Sequence, residues 1–220
     1  MRAKSSILLL TLLSCGFINT GYSQPPVFSF EKYINEKGDT LKYRQLFPDY
    51  DTLHKYPLVI FLHGSGERGN DNEAQLKWGV MNFATDQNMK LYPCFVIAPQ
   101  CPADLSWANN ATTKNNQDIS MLPVPSKPME LLIALINTFS KKFRVDTNRI
   151  YITGLSMGGF GTFDAMERCP NLFAAAVPVC GGGDVSKVNL IRHIPIWIFH
   201  GAEDPAVNPA LSLRDRKSVV

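Results

Sequence analysis

The sequence predicts an α/β fold: a mostly parallel, doubly wound sheet preceded by an antiparallel hairpin. Three observations predict it. Short, unbroken apolar runs rich in β-branched and aromatic residues recur at 58–62, 95–98, 150–152, 175–179 and 196–199, as parallel strands buried on both faces require. Helical patterns fall between them, and such alternation builds a parallel sheet. Before residue 57 the pattern differs: 27–34 and 40–47 alternate apolar and polar residues around Glu36-Lys37-Gly38-Asp39, the signature of a half-exposed hairpin.

The first residues stand outside this globule. Arg2 and Lys4 precede an apolar run from Ile7 to Leu13, and small residues follow. This reads as an export signal, too short to span a bilayer. Cleavage after Ser23, behind Gly21-Tyr22-Ser23, would make 1–23 the signal peptide. Leu12-Leu13-Ser14-Cys15 also resembles a lipobox that would leave a lipid anchor on Cys15. The expected location is therefore periplasmic or secreted, with an outer-membrane lipoprotein as the second reading.

The other end is unusual too. Asp215-Arg216-Lys217-Ser218-Val219-Val220 can be encoded GAT CGG AAG AGC GTC GTG, the start of a common sequencing adapter once its first A completes an arginine codon. Residues 215–220 are thus expected to be a non-native tail, with 24–214 as the single domain. A stop codon after Val220 at the native locus would overturn this.

The chain carries 22 Lys+Arg against 19 Asp+Glu. Removing Arg2, Lys4, Arg216 and Lys217, together with Asp215, leaves 18 against 18. The basic balance resides in the ends, so no nucleic-acid or anionic-membrane partner is expected. Cys94, Cys101, Cys169 and Cys180 follow the signal and match no zinc spacing, so no metal or other cofactor is expected. Cys180 closes an apolar run and reads as a buried thiol. A Cys94–Cys101 bridge is open, because sequence alone does not fix pairing.

The helix expected over 127–143 carries Leu131, Leu132, Leu135, Ile136 and Phe139 at helical spacing, with Lys141-Lys142 at its end. A second runs from Met157 to Arg168, with Pro170 beyond it. The stretch 101–128, rich in Asn, Pro and Thr, reads as a long loop of the kind that often carries function.

The chemistry falls where strands end, as ligand sites in such sheets do. Gly154-Leu155-Ser156-Met157-Gly158 follows the strand at 150–152 and opens a helix. This is the form of a nucleophile elbow, in which the sharp turn leaves no room for a β-carbon at Gly154 or Gly158. Ser156 is the expected nucleophile, and it needs a base and an oxyanion hole. The N–H of Met157 is one expected oxyanion donor. The glycine-rich His63-Gly64-Ser65-Gly66 loop supplies the other, at Ser65 with Gly64 and Gly66 as alternatives. His63 itself reads as structural, and Glu67 and Arg68 as fixing the loop or pairing with each other.

After the run 196–199 comes His200-Gly201-Ala202-Glu203-Asp204. The hydrolase order is serine, acid, histidine, which makes Asp204 the expected acid, with Glu203 and then Asp184 behind it. His200 reads as a packing residue. The sequence holds four histidines, at 54, 63, 193 and 200, and none follows Asp204.

The runs at 61–72, 97–102, 149–184 and 195–209 together resemble the esterase branch of the α/β-hydrolase superfamily: feruloyl and acetyl-xylan esterases, polyhydroxybutyrate-depolymerase-like enzymes and related carboxylesterases. The resemblance implies a serine esterase acting through an acyl-enzyme, with Ser156 as nucleophile and Asp204 as acid. It implies a catalytic histidine on a loop after one more helix and strand, so that the chain as given lacks its last strand and helix and is nearly inactive. It points to carboxylic esters, including acyl or feruloyl esters of polysaccharide. Two alternatives stand beside it: a prolyl-oligopeptidase-type serine peptidase, and a non-catalytic carbohydrate-binding envelope protein. Trp107, in the long loop, could line an acyl pocket or fill the core.

Overall fold

The computed structural model describes residues 27–48, 51, 53–112 and 118–213. The expected signal at 1–23, Cys15 and the 215–220 tail lie outside the described residues.

The hairpin forms as the alternation requires. Strands β1 (Ser29–Ile34) and β2 (Thr40–Leu46) pair antiparallel, from Ser29 opposite Gln45 to Ile34 opposite Thr40. Gly38 takes φ 86° in the connecting turn, a conformation glycine adopts without strain. The apolar runs become β3 (Tyr56–Leu62), β4 (Phe95–Pro99), β7 (Val145–Leu155) and β8 (Ala175–Val179). Two further strands, β5 (Asn110–Thr112) and β6 (Ile119–Met121), form a small antiparallel pair within the stretch read as a loop.

The main sheet runs β1-β2-β4-β3-β7-β8, with β4, β3, β7 and β8 parallel and β2 antiparallel to β4. Because β4 lies on one side of β3 and β7 on the other, the carboxyl ends of β3 and β7 flank a switch in chain direction around the sheet. Crevices open at such points. The run at 196–199 is not a regular strand. It follows β8 in parallel through two bridges, Ala176 with Ile196 and Val179 with Phe199.

Among the described residues four α-helices pack around the sheet: α1 (Asp86–Leu91), α2 (Lys127–Lys142), α3 (Met157–Arg168) and α4 (Val188–Ile191). Ser126 caps α2 by accepting the Met129 N–H, and the apolar stripe predicted from spacing is buried. The core is continuous from Leu58, Ile60 and Leu62 of β3 through Leu132, Leu135 and Ile136 of α2 to Phe163 and Met166 of α3. Burying each such side chain contributes about 1.5–3 kcal/mol relative to exposure. All four cysteines of the described chain are free thiols, so Cys94 and Cys101 are not bridged.

Candidate active site

Strand register assembles the site. Leu62 of β3 pairs with Gly154 of β7, Leu155 pairs with Val179 of β8, and Val179 bridges Phe199. The next residues along each element are His63, Ser156, Cys180 and His200. All leave the sheet at one level, at the carboxyl ends of the strands.

Ser156 sits between β7 and α3 with φ 55° and ψ −115°. A non-glycine residue rarely holds positive φ, and such strain persists only where the surroundings enforce it. Here they do. The Ser156 N–H donates to the Val179 carbonyl at 2.8 Å, and its carbonyl accepts from Phe160 N–H at 3.1 Å. A β-carbon on Gly158 would lie 2.0 Å from the Leu62 carbonyl oxygen, and one on Gly154 would lie 2.3 Å from that of Gly158. The glycines therefore let the first turn of α3 press against the end of β3. The Ser156 hydroxyl does not cap α3, although serine commonly does at that position. The first-turn amide of Met157 is one that the helix itself cannot satisfy.

The glycine-rich loop lies beside this elbow. Ser65, Gly66 and Glu67 form one 3₁₀ turn after Gly64. Both ring nitrogens of buried His63 are engaged: Nε2 accepts the Cys101 N–H at 2.9 Å, and Nδ1 is 2.6 Å from the Gly64 carbonyl. Trp107 is fully buried and donates its indole N–H to the His63 carbonyl at 3.1 Å; of its two readings the structure selects the core. Glu67 accepts the Trp78 indole N–H at 3.0 Å, while Arg68 donates to the Ser65 carbonyl at 3.0 Å. Each fixes the loop, with partners other than each other.

Asp204 follows the 196–199 segment. Its Oδ1 accepts the N–H groups of Ala206 and Val207 at 2.9 and 3.0 Å. The Val207 N–H and then the Ala206 N–H hold its carboxyl below the ordinary value, so it is ionised at neutral pH. Asp204, Phe160 and Leu211 line a cavity of about 450 Å³. A cavity of about 690 Å³ lies between His54, Tyr56, Tyr92 and Tyr151, near the amino ends of β3 and β4 and away from this chemistry. Asp184 is committed elsewhere: it accepts the N–H groups of Met121 and Ser186, which makes it a turn residue.

None of the four histidines bonds Ser156. His54 faces Asp51, and His193 faces the Pro170 carbonyl. His200 contacts Ser212 Oγ at 2.6 Å and the Val207 carbonyl at 3.0 Å. Sequence reasoning missed one neighbour. Cys180, expected to be buried, is half-buried, takes φ 50° and shares this end of the sheet with His200 and Asp204.

The fold, with this elbow, is that of the α/β-hydrolases. The prolyl oligopeptidase family model matches residues 125–210. A thermostable esterase of known structure is 43% identical, with a TM-score of 0.79 over 88% of this chain and 51% of that one. A bifunctional acetylxylan esterase/xylanase of Neocallimastix patriciarum is 27% identical over 69% of this chain and 20% of its own length. A poly(3-hydroxyalkanoate) depolymerase C of Paucimonas lemoignei is 25% identical over 57% of this chain and 28% of its own. The chain thus has the α/β-hydrolase fold and is similar to esterases. It spans about half of the thermostable esterase and a fifth of the xylan esterase/xylanase. Among the described residues no helix is long and apolar enough to cross a membrane.

Proposed function

We propose that the protein is an exported serine carboxylesterase. The observation that carries this is the strained Ser156, whose hydroxyl is left uncapped at the carboxyl end of the sheet. Ser156 Oγ attacks an ester carbonyl and forms an acyl-enzyme. The N–H of Met157 and the N–H of Ser65 bind the oxyanion, and losing one such donor costs about 3–4 kcal/mol of transition-state stabilisation. Asp204 orients the histidine that takes the Ser156 proton and stabilises its cation. That histidine is not one of the four in this sequence, since each is held elsewhere. The 220-residue chain therefore hydrolyses esters only at the residual level left by an oxyanion hole and binding. The substrate class is carboxylic esters, with acyl or feruloyl esters of polysaccharide first, which the xylan-esterase relative supports.

A fluorophosphonate probe and p-nitrophenyl acetate test this on the chain and on the protein extended through its downstream reading frame. The extended protein should label at Ser156 and turn over, and Ser156→Ala should abolish both. Equal turnover by the 220-residue chain would overturn the assignment of the base.

The match over 125–210 favours a second reading, a peptidase of the prolyl oligopeptidase type. Cleavage of peptidyl p-nitroanilides in preference to p-nitrophenyl esters would select it.

A further inference from the structure

The cluster beyond β8 has more electron-rich atoms than the proposed hydrolysis uses. Cys180, His200 and Asp204 each place one ligand atom within 4.8 Å of the others, and all three are partly exposed. Hydrogen bonding at His200 then makes the cluster informative. Ser212 Oγ donates its one hydrogen to the Gly181 carbonyl at 2.8 Å. It lies 2.6 Å from His200 Nδ1, so there it accepts. Nδ1 therefore bears the proton of the neutral ring and Nε2 bears the lone pair. Yet Nε2 faces the Val207 carbonyl at 3.0 Å and Asp204 Oδ2 at 3.6 Å, both acceptors. The amides that bind Asp204 both use Oδ1, leaving Oδ2 toward the ring. A lone pair, a carbonyl and a carboxylate converge on one point, and the thiol of Cys180 is beside them. That point favours positive charge, which a second ring proton or a bound cation supplies.

We propose a transition-metal site in which Cys180 Sγ, His200 Nε2 and Asp204 Oδ2 hold a zinc-class divalent cation, with a fourth position open. A thiolate, an imidazole and a carboxylate suit zinc or cobalt and not the all-oxygen preference of magnesium or calcium. The Ser212–Gly181 relay is the outer bond that fixes the ring tautomer, as metal-binding histidines require. Binding breaks the Cys180 S–H bond, forms the sulfur–metal bond and releases one proton to solvent, with no change of oxidation state. Because that proton is released, binding tightens as pH rises. Occupation would also take Asp204 from the catalytic histidine and inhibit hydrolysis. That consequence rests on the esterase reading, whereas metal binding does not.

The test adds Co²⁺ to metal-free protein. One equivalent should produce a thiolate-to-cobalt charge-transfer band that Zn²⁺ removes by displacement. Cys180→Ser should abolish the band, and Ser212→Ala should weaken affinity about tenfold through loss of the outer bond. Should Cys180→Ser fail to fold, alkylation of the unmodified protein with iodoacetamide decides: Zn²⁺ should protect Cys180 and leave the alkylation of Cys94 and Cys169 unchanged. No band, a band that survives Cys180→Ser, or no protection of Cys180 overturns the site. A metal-bound extended protein with full esterase turnover would leave the site standing and count against Asp204 as the acid.

Discussion

His63 Nε2 accepts the backbone N–H of Cys101 at 2.9 Å, which ties the end of β3 to the end of β4 across the sheet. The same ring reaches the Gly64 carbonyl through Nδ1 at 2.6 Å. Together the two bonds specify a neutral ring with its proton on Nδ1. A histidine that opens the glycine-rich loop thus holds that loop in place and is unavailable as a base.

This bonding makes stability depend on pH. Burial first, opposed by the Gly64 contact, holds the His63 imidazole below its ordinary value. Above the unfolded value of about 6.5 both states are neutral and the contribution is fully present. As pH falls below that value the unfolded chain takes a proton that the folded ring resists, and stability is lost. Urea unfolding followed from neutral pH down through this window should show the decline. His63→Gln should be less stable at neutral pH and show a flatter slope. Equal slopes would count against the neutral, buried ring.

Gly158 tests the elbow itself. An added β-carbon would lie 2.0 Å from the Leu62 carbonyl oxygen and 2.8 Å from that of His63, and backbone cannot rotate away. Gly158→Ala should cost about 3 kcal/mol or more, the upper range for overpacking. In the extended protein it should also abolish fluorophosphonate labelling of Ser156. At Gly66 nothing lies within 4 Å of the corresponding position. Gly66→Ala should leave the unfolding midpoint nearly unchanged, and equal losses at both positions would refute the steric account.

What the sequence made legible was local. Gly154, Ser156 and Gly158 are readable because the elbow's requirements fall within five residues, and α3 begins and ends where they predict. The place of Asp204 after an apolar run is visible in the sequence, but the convergence of Cys180 and His200 on it is not. That meeting depends on the register that sets Val179 beside Phe199, which spans twenty residues and leaves no pattern in the chain. Trp107 stayed ambiguous for a similar reason: only the fold brings the His63 carbonyl to its indole N–H. The 101–128 stretch hid β5 and β6 because strands of three residues are too short to show a period.

Arg168 closes α3 in a paired arrangement with Asp164. Its Nε and a terminal nitrogen donate to the two carboxylate oxygens at 2.7 and 3.0 Å, and its other bonds go to the carbonyls of Leu122 and Pro123. Both side chains are almost entirely buried, at 9% and 3% exposure. Arg168→Ala leaves the Asp164 charge buried without its partner, a loss of about 3–5 kcal/mol for such pairs. Chemical denaturation should show it, accompanied by faster proteolysis around 122–123, which loses its tether. A loss below about 1 kcal/mol would place the pair with exposed bridges.

The edge at 196–199 carries the last prediction. Ile196 and Ile198 pack on the core, while Trp197 is 69% and Phe199 43% exposed. The two rings lie 4.7 Å apart on one side of the segment. Among the described residues only β8 pairs with this segment, so its other side offers free backbone groups next to an aromatic patch. Such edges recruit other strands, and a charge on the exposed face is how natural sheets prevent it. Trp197→Lys should reduce concentration-dependent self-association in sedimentation velocity and leave the unfolding midpoint nearly unchanged. Ile198→Lys, on the opposite face, should unfold the chain before it changes association. If Trp197→Lys associates as the unmodified protein does, the edge is not the contact.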